Sequence, residues 1–229
     1  MPKISIIIPS YNESQNLPLL LSDLSTFNEG LEIIIVDCNS KDKTKDIAKI
    51  YKTNLYKSKI KSRGLQLNIG AKKAKGEWFI FLHADSRLSK GWLRKVKSVM
   101  SDDENIIYFF KFKINNKKII YRILEIFVNL RSSIFKNPYG DQGLIIHRKT
   151  YFRNKGYRKI PLMEDLDFIN RLRNNNNLNL KMLTIPIYTS SRKWEKTNII
   201  FQAVKNWNFR KRWLKGESIK SLYIDYYND

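Results

Sequence analysis

Apolar residues arrive along this chain in two rhythms. Short unbroken runs rich in β-branched or aromatic side chains predict strands at residues 3–10 (KISIIIPS), 31–37 (LEIIIVD), 105–114, 144–147 and 178–189, the last crossed by Pro186. Residues 76–86 (GEWFIFLHADS) hold another such run and 54–57 a shorter one. Between them, apolar positions recur at helical spacing. Leu17, Leu20, Leu21 and Leu24 mark a helix within 14–27, and turn residues 39–44 open one that runs to Tyr51. Further helices are predicted at 61–75, at 92–100 on Trp92, Leu93, Val96 and Met100, at 116–135, from the stretch 161–168 to about 174, and at 197–214. Most early strands show no polar alternation, as in a parallel sheet covered on both faces. Strands alternating with helices predict an α/β fold, a doubly wound and mostly parallel sheet flanked by helices. No internal repeat or long linker divides the chain, so residues 1–229 are expected to form one domain.

The predicted helix 116–135 carries an apolar stripe of Ile119, Ile120, Ile123, Phe127, Leu130 and Ile134. Such a stripe faces either the core or a membrane surface, and core is the expectation. No uninterrupted apolar stretch reaches transmembrane length, since this helix is broken by Arg122, Glu125 and Arg131. No N-terminal signal pattern is seen, and the single cysteine, Cys38, fits a reducing cytoplasm and a small buried hydrophobe. With only His83 and His147 as imidazoles, a His/Cys zinc site is excluded. The formal net charge of +22 favours polyanions: nucleotide diphosphates, nucleic acid or anionic lipid headgroups. The basic residues are spread along the whole chain, so charge alone does not choose among these.

Candidate chemistry lies at strand ends. In open α/β sheets, ligands bind at the carboxyl edge of the strands. His83 and Asp85 end the aromatic run; residues two apart in an extended chain face one side, and a carboxylate there can hold Mg²⁺ or Mn²⁺. Asp37 follows the second run, Glu13 the first, and Glu164 and Asp165 begin a helix, where the macrodipole favours acids. Four acidic points along one edge are hard to explain by solvation. Neither G-x-G-x-x-G nor a P-loop is present.

Several stretches carry a family resemblance: residues 5–13 (SIIIPSYNE), Val36 and Asp37 with Ser40, Asp42 and Thr44, residues 63–71 (RGLQLNIGA), His83-Ala84-Asp85, residues 140–143 (GDQG) and Leu162-Met163-Glu164-Asp165. In these the chain resembles family-2 glycosyltransferases of the GT-A fold, in particular small stand-alone bacterial members, some of them assigned to arsenosugar biosynthesis. The resemblance runs from Ile4 to Trp194. It implies a nucleotide-sugar-binding half at 1–86, an acceptor and catalytic half at 87–195, and a basic amphipathic helical tail at 196–229. It implies a metal-dependent, inverting transfer of sugar from a nucleoside-diphosphate sugar, uridine by default, to an acceptor hydroxyl. Pro9, Tyr11, Glu13, Asp37 and Ala84 would form the nucleotide pocket, with Arg63 and Arg192 at the diphosphate. Asp85, with His83 as the second candidate, would hold the divalent cation. Asp165, or in its place Glu164, would be the general base. Asp141, Gln142 and Trp194 would meet the acceptor, although Asp141 and Gln142 could equally cap a turn.

The chain departs from the family pattern at Cys38 and Asn39, where many members have Asp-Gly, and at His83, which replaces the first Asp of D-x-D. Two other readings compete. A sugar nucleotidyltransferase would need a Gly-rich, Arg-containing loop after the first strand, and residues 9–13 (PSYNE) have the wrong chemistry for it. A non-enzymatic nucleic-acid binder is suggested by the basic and aromatic residues at 205–215, which would also suit an anionic membrane.

Overall fold

The computed structural model describes residues 3–25, 30–100, 103–190 and 199–228. The first half runs β1 (Ile4–Ser10), α1 (Leu17–Ser25), β2 (Leu31–Asp37), α2 (Thr44–Ile50), β3 (Asn54–Lys57), α3 (Arg63–Lys73) and β4 (Trp78–Phe81). After it come β5 (Arg87–Leu88), α4 (Trp92–Val99), β6 (Ile106–Ile114), α5 (Ile119–Ile134), a 3-10 turn (Gly140–Gln142) and β7 (Leu144–His147). The remainder is α6 (Arg148–Arg153), α7 (Glu164–Arg173), β8 (Asn179–Thr189), α8 (Ile199–Leu214) and α9 (Ile219–Asn228).

The strands form one sheet in the order β3-β2-β1-β4-β7-β6-β8-β5. β3, β2, β1 and β4 are mutually parallel, β7 is antiparallel to β4 and to β6, and β8 returns parallel to β6. Ile4, Ile6 and Ile8 of β1 pack into one layer with Leu20, Leu24, Trp92 and Val96. Ile7, between them, packs into the other layer with Leu67, Ala71 and Phe168. Each strand face has its own helical cover, which is why β1 carries no polar alternation. Pro186 does not interrupt β8. It lies opposite Lys111, where the β6–β8 register shifts, and an irregular ladder tolerates a residue without an N–H.

Helix α5 reverses the expectation set by its sequence. Ile119, Ile123, Phe127, Leu130 and Ile134 are exposed, and the buried positions are Tyr121, Glu125, Asn129 and Ser132; of the predicted stripe only Ile120 packs against the core, beside Leu124 and Val128. The reason lies in β6. Its ladder with β7 covers only Tyr108 and Phe109, so the backbone beyond lacks a strand on that side. Helix α5 fills the gap with side chains. Asn129 accepts the Phe112 N–H at 2.7 Å and donates to the Phe112 carbonyl at 2.9 Å. Glu125 accepts the Ile114 N–H at 2.7 Å, and Arg122 donates to the Ile114 carbonyl at 2.9 Å. Buried backbone groups must be paired, and here the demand outweighs the burial of a few more isoleucines. Asn129→Ala, which orphans both polar groups of Phe112, is expected to cost about 3 kcal/mol. Urea unfolding would measure it; a loss under about 1 kcal/mol would mean that water substitutes for the amide.

Candidate active site

Three elements meet at the carboxyl edge of β1, β2 and β4, and short-range hydrogen bonds fix the loop that tops it. Ser40, Asp42 and Thr44 accept, in order, the N–H groups of Asn12 at 2.9 Å, Ser14 at 3.0 Å and Glu13 at 2.8 Å. Asn12 answers by accepting the Lys41 N–H at 2.9 Å. Burial would raise the Asp42 carboxyl, but hydrogen bonds from Thr44 and Ser14 carry it down to about 2. The alternating oxygens at 40, 42 and 44 therefore act on the first loop, which gives their spacing a physical reason. Asp37 is held in the same network: it accepts the Ser40 N–H at 3.0 Å and the Ser10 hydroxyl at 3.4 Å. It lines a side cavity of about 240 Å³ with Asn39, Lys45 and Tyr56. Cys38 is buried, and burial pushes its thiol up, so it behaves as the expected small hydrophobe.

The main cavity, about 490 Å³, lies beside this loop. Pro9, Tyr11, Glu13, Arg63, His83, Ala84, Asp85 and Glu164 all line it, so eight sequence-predicted site residues meet at one opening. Residues absent from the sequence-based set join them: Lys61, Gln66 and Tyr223. Lys61 stands over the Tyr11 ring at 4.1 Å. Its signal was present in the run Lys59, Lys61, Arg63, which leads into a helix N-terminus capped by Ser62, a favourable place for phosphate. Gln66 is buried and donates to the carbonyls of Ser10 at 2.9 Å and Val36 at 2.7 Å. It locks the ends of β1 and β2 together.

The chain beyond β4 is not extended. The strand ends at Phe81, and His83 to Ser86 forms a turn closed by the Ser86 N–H donating to the His83 carbonyl at 3.1 Å. His83 and Asp85 reach the cavity from that turn, so the expectation that strand alternation aims them together is corrected. A Cβ placed on Gly140 would come within 2.8 Å of His83 Nε2 and 3.3 Å of Asp165 Oδ2. His83 and Asp165 therefore approach each other across Gly140, where an added Cβ would push the imidazole aside.

Asp165 lies in a recess adjoining the main cavity, shared with Arg63, His83, Gly140 and Glu164. It accepts the Gly140 N–H at 3.0 Å and the Leu166 N–H at 2.8 Å. Burial would raise its carboxyl; the Arg63 charge, these two N–H groups and His83 outweigh burial and hold it below the ordinary value. Its neighbour Glu164 is pushed the other way by burial, against the pull of Arg63. The Arg63 guanidinium, expected at a diphosphate, is ion-paired to Glu164. The adjacent carboxylates are thus shifted in opposite directions: Glu164 is paired with Arg63 and pushed up by burial, and Asp165 is held below its ordinary value. Met163, just before them, takes a left-handed backbone at φ 62°. A non-glycine residue in that region signals local strain, which here sets how α7 enters the site. Gly64 lets the two helices meet, since a Cβ there would fall 2.3 Å from the Arg158 carbonyl oxygen and 3.0 Å from the Glu164 Cβ.

Gln142 is not placed to meet an acceptor. It is fully buried, accepting from Ser132 at 2.6 Å and donating to the Phe110 carbonyl at 3.3 Å; of its two readings, turn capping describes what the side chain does. Asp141 sits beside it in the 3-10 turn, near the Arg131 guanidinium. Arg192 and Trp194 lie outside the described residues.

Among the described residues no three His, Cys, Asp or Glu side chains gather to enclose a metal ion. Of the described carboxylates, three line the main cavity, Glu13, Asp85 and Glu164; Glu164 is paired with Arg63, and Asp85 shares the turn beyond β4 with the His83 imidazole. That fits a hard cation such as Mg²⁺, which binds through one or two carboxylates and completes its shell with phosphate oxygens and water.

A partly parallel α/β sheet with an acid-lined cavity at its carboxyl edge is a nucleotide-binding architecture. The Glycosyl transferase family 2 profile matches residues 5–164, and the chain belongs to that family. An uncharacterized glycosyltransferase of Haemophilus influenzae is 28% identical over 198 residues, 81% of this chain and 64% of that protein. The poly(ribitol-phosphate) beta-N-acetylglucosaminyltransferase TarS of Staphylococcus aureus is 28% identical over 122 residues, 49% of this chain and 21% of TarS. The chain thus spans less than two thirds of the length of either relative. Among solved structures, TarS 1–349 in complex with UDP-GlcNAc superposes with a TM-score of 0.64 at 21% identity, covering 83% of this chain and 59% of that one. The mannosyltransferase PcManGT of Pyrobaculum calidifontis, in complex with GDP-Man and Mn²⁺, gives 0.68 at 15% identity over 92% of this chain and 61% of that one. These likenesses establish the GT-A fold.

Proposed function

We propose that the protein is a metal-dependent, inverting glycosyltransferase that moves a sugar from a nucleoside-diphosphate sugar, uridine by default, to an acceptor hydroxyl. One observation carries the reading: Asp165, a carboxylate held below its ordinary value, adjoins a cavity walled by Asp85, Arg63, Lys61 and Tyr11. The nucleotide enters the main cavity along Pro9, Tyr11 and Glu13, with Asp37 behind the loop. Lys61 and the N-terminus of α3 meet the diphosphate in place of Arg63, whose charge instead holds Glu164 and Asp165 in position. Held by Asp85, Mg²⁺ or Mn²⁺ would supply Lewis-acid neutralisation of the diphosphate leaving group. Asp165 removes the proton of the acceptor hydroxyl as the glycosidic bond breaks, and a single base with direct attack gives inversion at the anomeric carbon. Bound UDP-GlcNAc in TarS and GDP-Man in PcManGT support a nucleotide-sugar donor of this class. The reading sets the protein in the cytoplasm, at the inner face of the membrane.

A thermal-shift panel of nucleoside diphosphates and nucleotide sugars, with and without Mn²⁺, tests the donor base and the metal together. Stabilisation by at least one uridine or guanosine nucleotide, enlarged by Mn²⁺, is expected. Tight, steeply salt-dependent binding to random DNA with no transfer of any sugar would replace this reading with the nucleic-acid one.

The pH profile separates Asp165 from the other candidate bases. Because the Asp165 carboxyl is held below the ordinary value, its basic form is present throughout the neutral range, and kcat is expected to fall only as pH drops below about 4. An acidic limb well above the ordinary carboxylate range would take the role from Asp165 and give it to Glu164, whose carboxyl burial pushes up, or to His83 across Gly140.

A further inference from the structure

Helix α5 has a face that glycosyl transfer does not use. Its polar row is committed to β6, and the opposite face, Ile119, Ile123, Ile126, Phe127, Leu130 and Ile134, is 46–76% exposed. These positions fall at i, i+4, i+7, i+8, i+11 and i+15, one side of a rod about 24 Å long. A continuous apolar strip of that kind marks an interaction surface. The charges that immediately flank it along the chain have one sign. The helix's only acid, Glu125, is turned inward. Exposed Lys117 and Lys118 precede the helix and exposed Lys136 follows it. At the C-terminal end a hollow of about 330 Å³ opens between Ile134, Phe135, Lys136 and Arg173.

A second strip lies on α8, where Phe201, Val204, Trp207 and Leu214 are exposed and Lys211 stands 5.0 Å over the Trp207 ring. Arg210 ties this helix to the Tyr139 hydroxyl at 3.3 Å, just beyond the end of α5. An exposed Trp beside lysines is the composition of a membrane–water interface. No described helix is long and apolar enough to cross a bilayer, so any lipid contact by these helices lies in the plane of the surface.

We propose that the outer face of α5 docks into the interface of an anionic bilayer. Ile126 and Phe127 enter the acyl boundary, the lysines at both ends sit at phosphate level, and the hollow beneath Lys136 and Arg173 receives a phosphate headgroup. Charge selects this occupant over a second copy of the chain. Pairing two α5 faces antiparallel sets Lys117 and Lys118 against the other copy's C-terminal lysine, and parallel pairing sets like ends together. Either way two chains of +22 are brought into contact. Lipid phosphates neutralise what a second copy would repel. The inference does not depend on which sugar is moved, or on whether one is.

Co-sedimentation of the full chain with vesicles of phosphatidylcholine, alone or mixed equally with phosphatidylglycerol, tests it at physiological salt. Binding to the mixed vesicles and not to the neutral ones is expected. Ile126→Glu/Phe127→Glu should lower the partition coefficient at least about tenfold. Leu19→Glu/Ile50→Glu makes the same charge change at exposed positions on α1 and α2 and should lower it less than about threefold. Leu130→Gln, which changes no charge, gives an independent reading of the same face and should also weaken binding. Far-UV circular dichroism and the melting midpoint confirm that each variant is folded. Equal losses in the two glutamate pairs would reduce the attachment to net charge and overturn the proposal. Failure to bind the mixed vesicles would overturn it too, as would a dimer in analytical ultracentrifugation that dissociates in Ile126→Glu/Phe127→Glu.

Discussion

Asp165→Asn is expected to lower kcat by about 10²–10⁴-fold, the range that a positioned general base contributes. Nucleotide affinity should change by less than about twofold. The reasons are local. Asp165 lies in the recess behind His83, outside the wall of the main cavity, so the donor has no direct contact to lose. Asparagine retains a carbonyl oxygen for the Gly140 N–H, so the turn that Asp165 supports can persist. What disappears is the charge, and with it the ability to accept a proton. Initial-rate assays of nucleotide release, set beside calorimetric titration of the nucleoside diphosphate, would separate the two effects. Near-normal turnover in this variant would move the base to Glu164 or His83. Glu164 starts at a disadvantage, because its carboxylate is buried and already paired with Arg63.

The second large effect concerns Asp85→Ala. With no cluster of three candidate ligands among the described residues, cation and nucleotide are expected to bind as a pair, each raising the affinity for the other by the same factor. Removing Asp85 takes away the protein's share of that pair. The Mn²⁺-dependent increase in nucleotide affinity should vanish, and kcat should fall by roughly 10²–10⁴-fold, the equivalent of several kcal/mol of Lewis-acid stabilisation. Calorimetry of the diphosphate with and without Mn²⁺ reads this directly. If the variant kept its metal response, His83 or the substrate alone would be supplying the coordination. A matching His83→Ala measurement would distinguish those outcomes.

Much of the first half was legible because its strands are fully apolar and their ends are punctuated. The reading of residues 31–37 and 54–57 as strands coincides with β2 and β3. Helix ends were less legible: α3 was expected over 61–75 and spans Arg63–Lys73, where Ser62 caps it. The short elements β5 and α6 went unread, since two to six residues carry almost no periodicity; the closing helix α9 falls within the tail expected as helical over 196–229, but its mixed aromatic and polar positions did not mark its bounds. At the site, residue identity was more legible than residue role. Arg63 and Glu164 pair across 101 positions of chain, and nothing in either local sequence announces such a contact. For Gln142 the sequence left acceptor contact and turn capping equally open; the unpaired stretch of β6 explains why it turns inward. Helix α5 was misread for the same reason. Hydropathy registers the apolar face and is blind to a neighbouring strand that lacks half its ladder.

That inversion would leave a mark on how the protein tolerates change. Scanned position by position for stability, most helices punish polar replacements on their greasy side and forgive almost anything on the hydrophilic one. Helix α5 should read inside out, with glutamine or serine at Ile126, Phe127 or Leu130 leaving the melting point unmoved, and leucine at Glu125 or Asn129 unfolding the end of the sheet. A redesign that tried to make this helix more soluble would succeed by every stability measure. Its cost would appear only where the protein meets a surface.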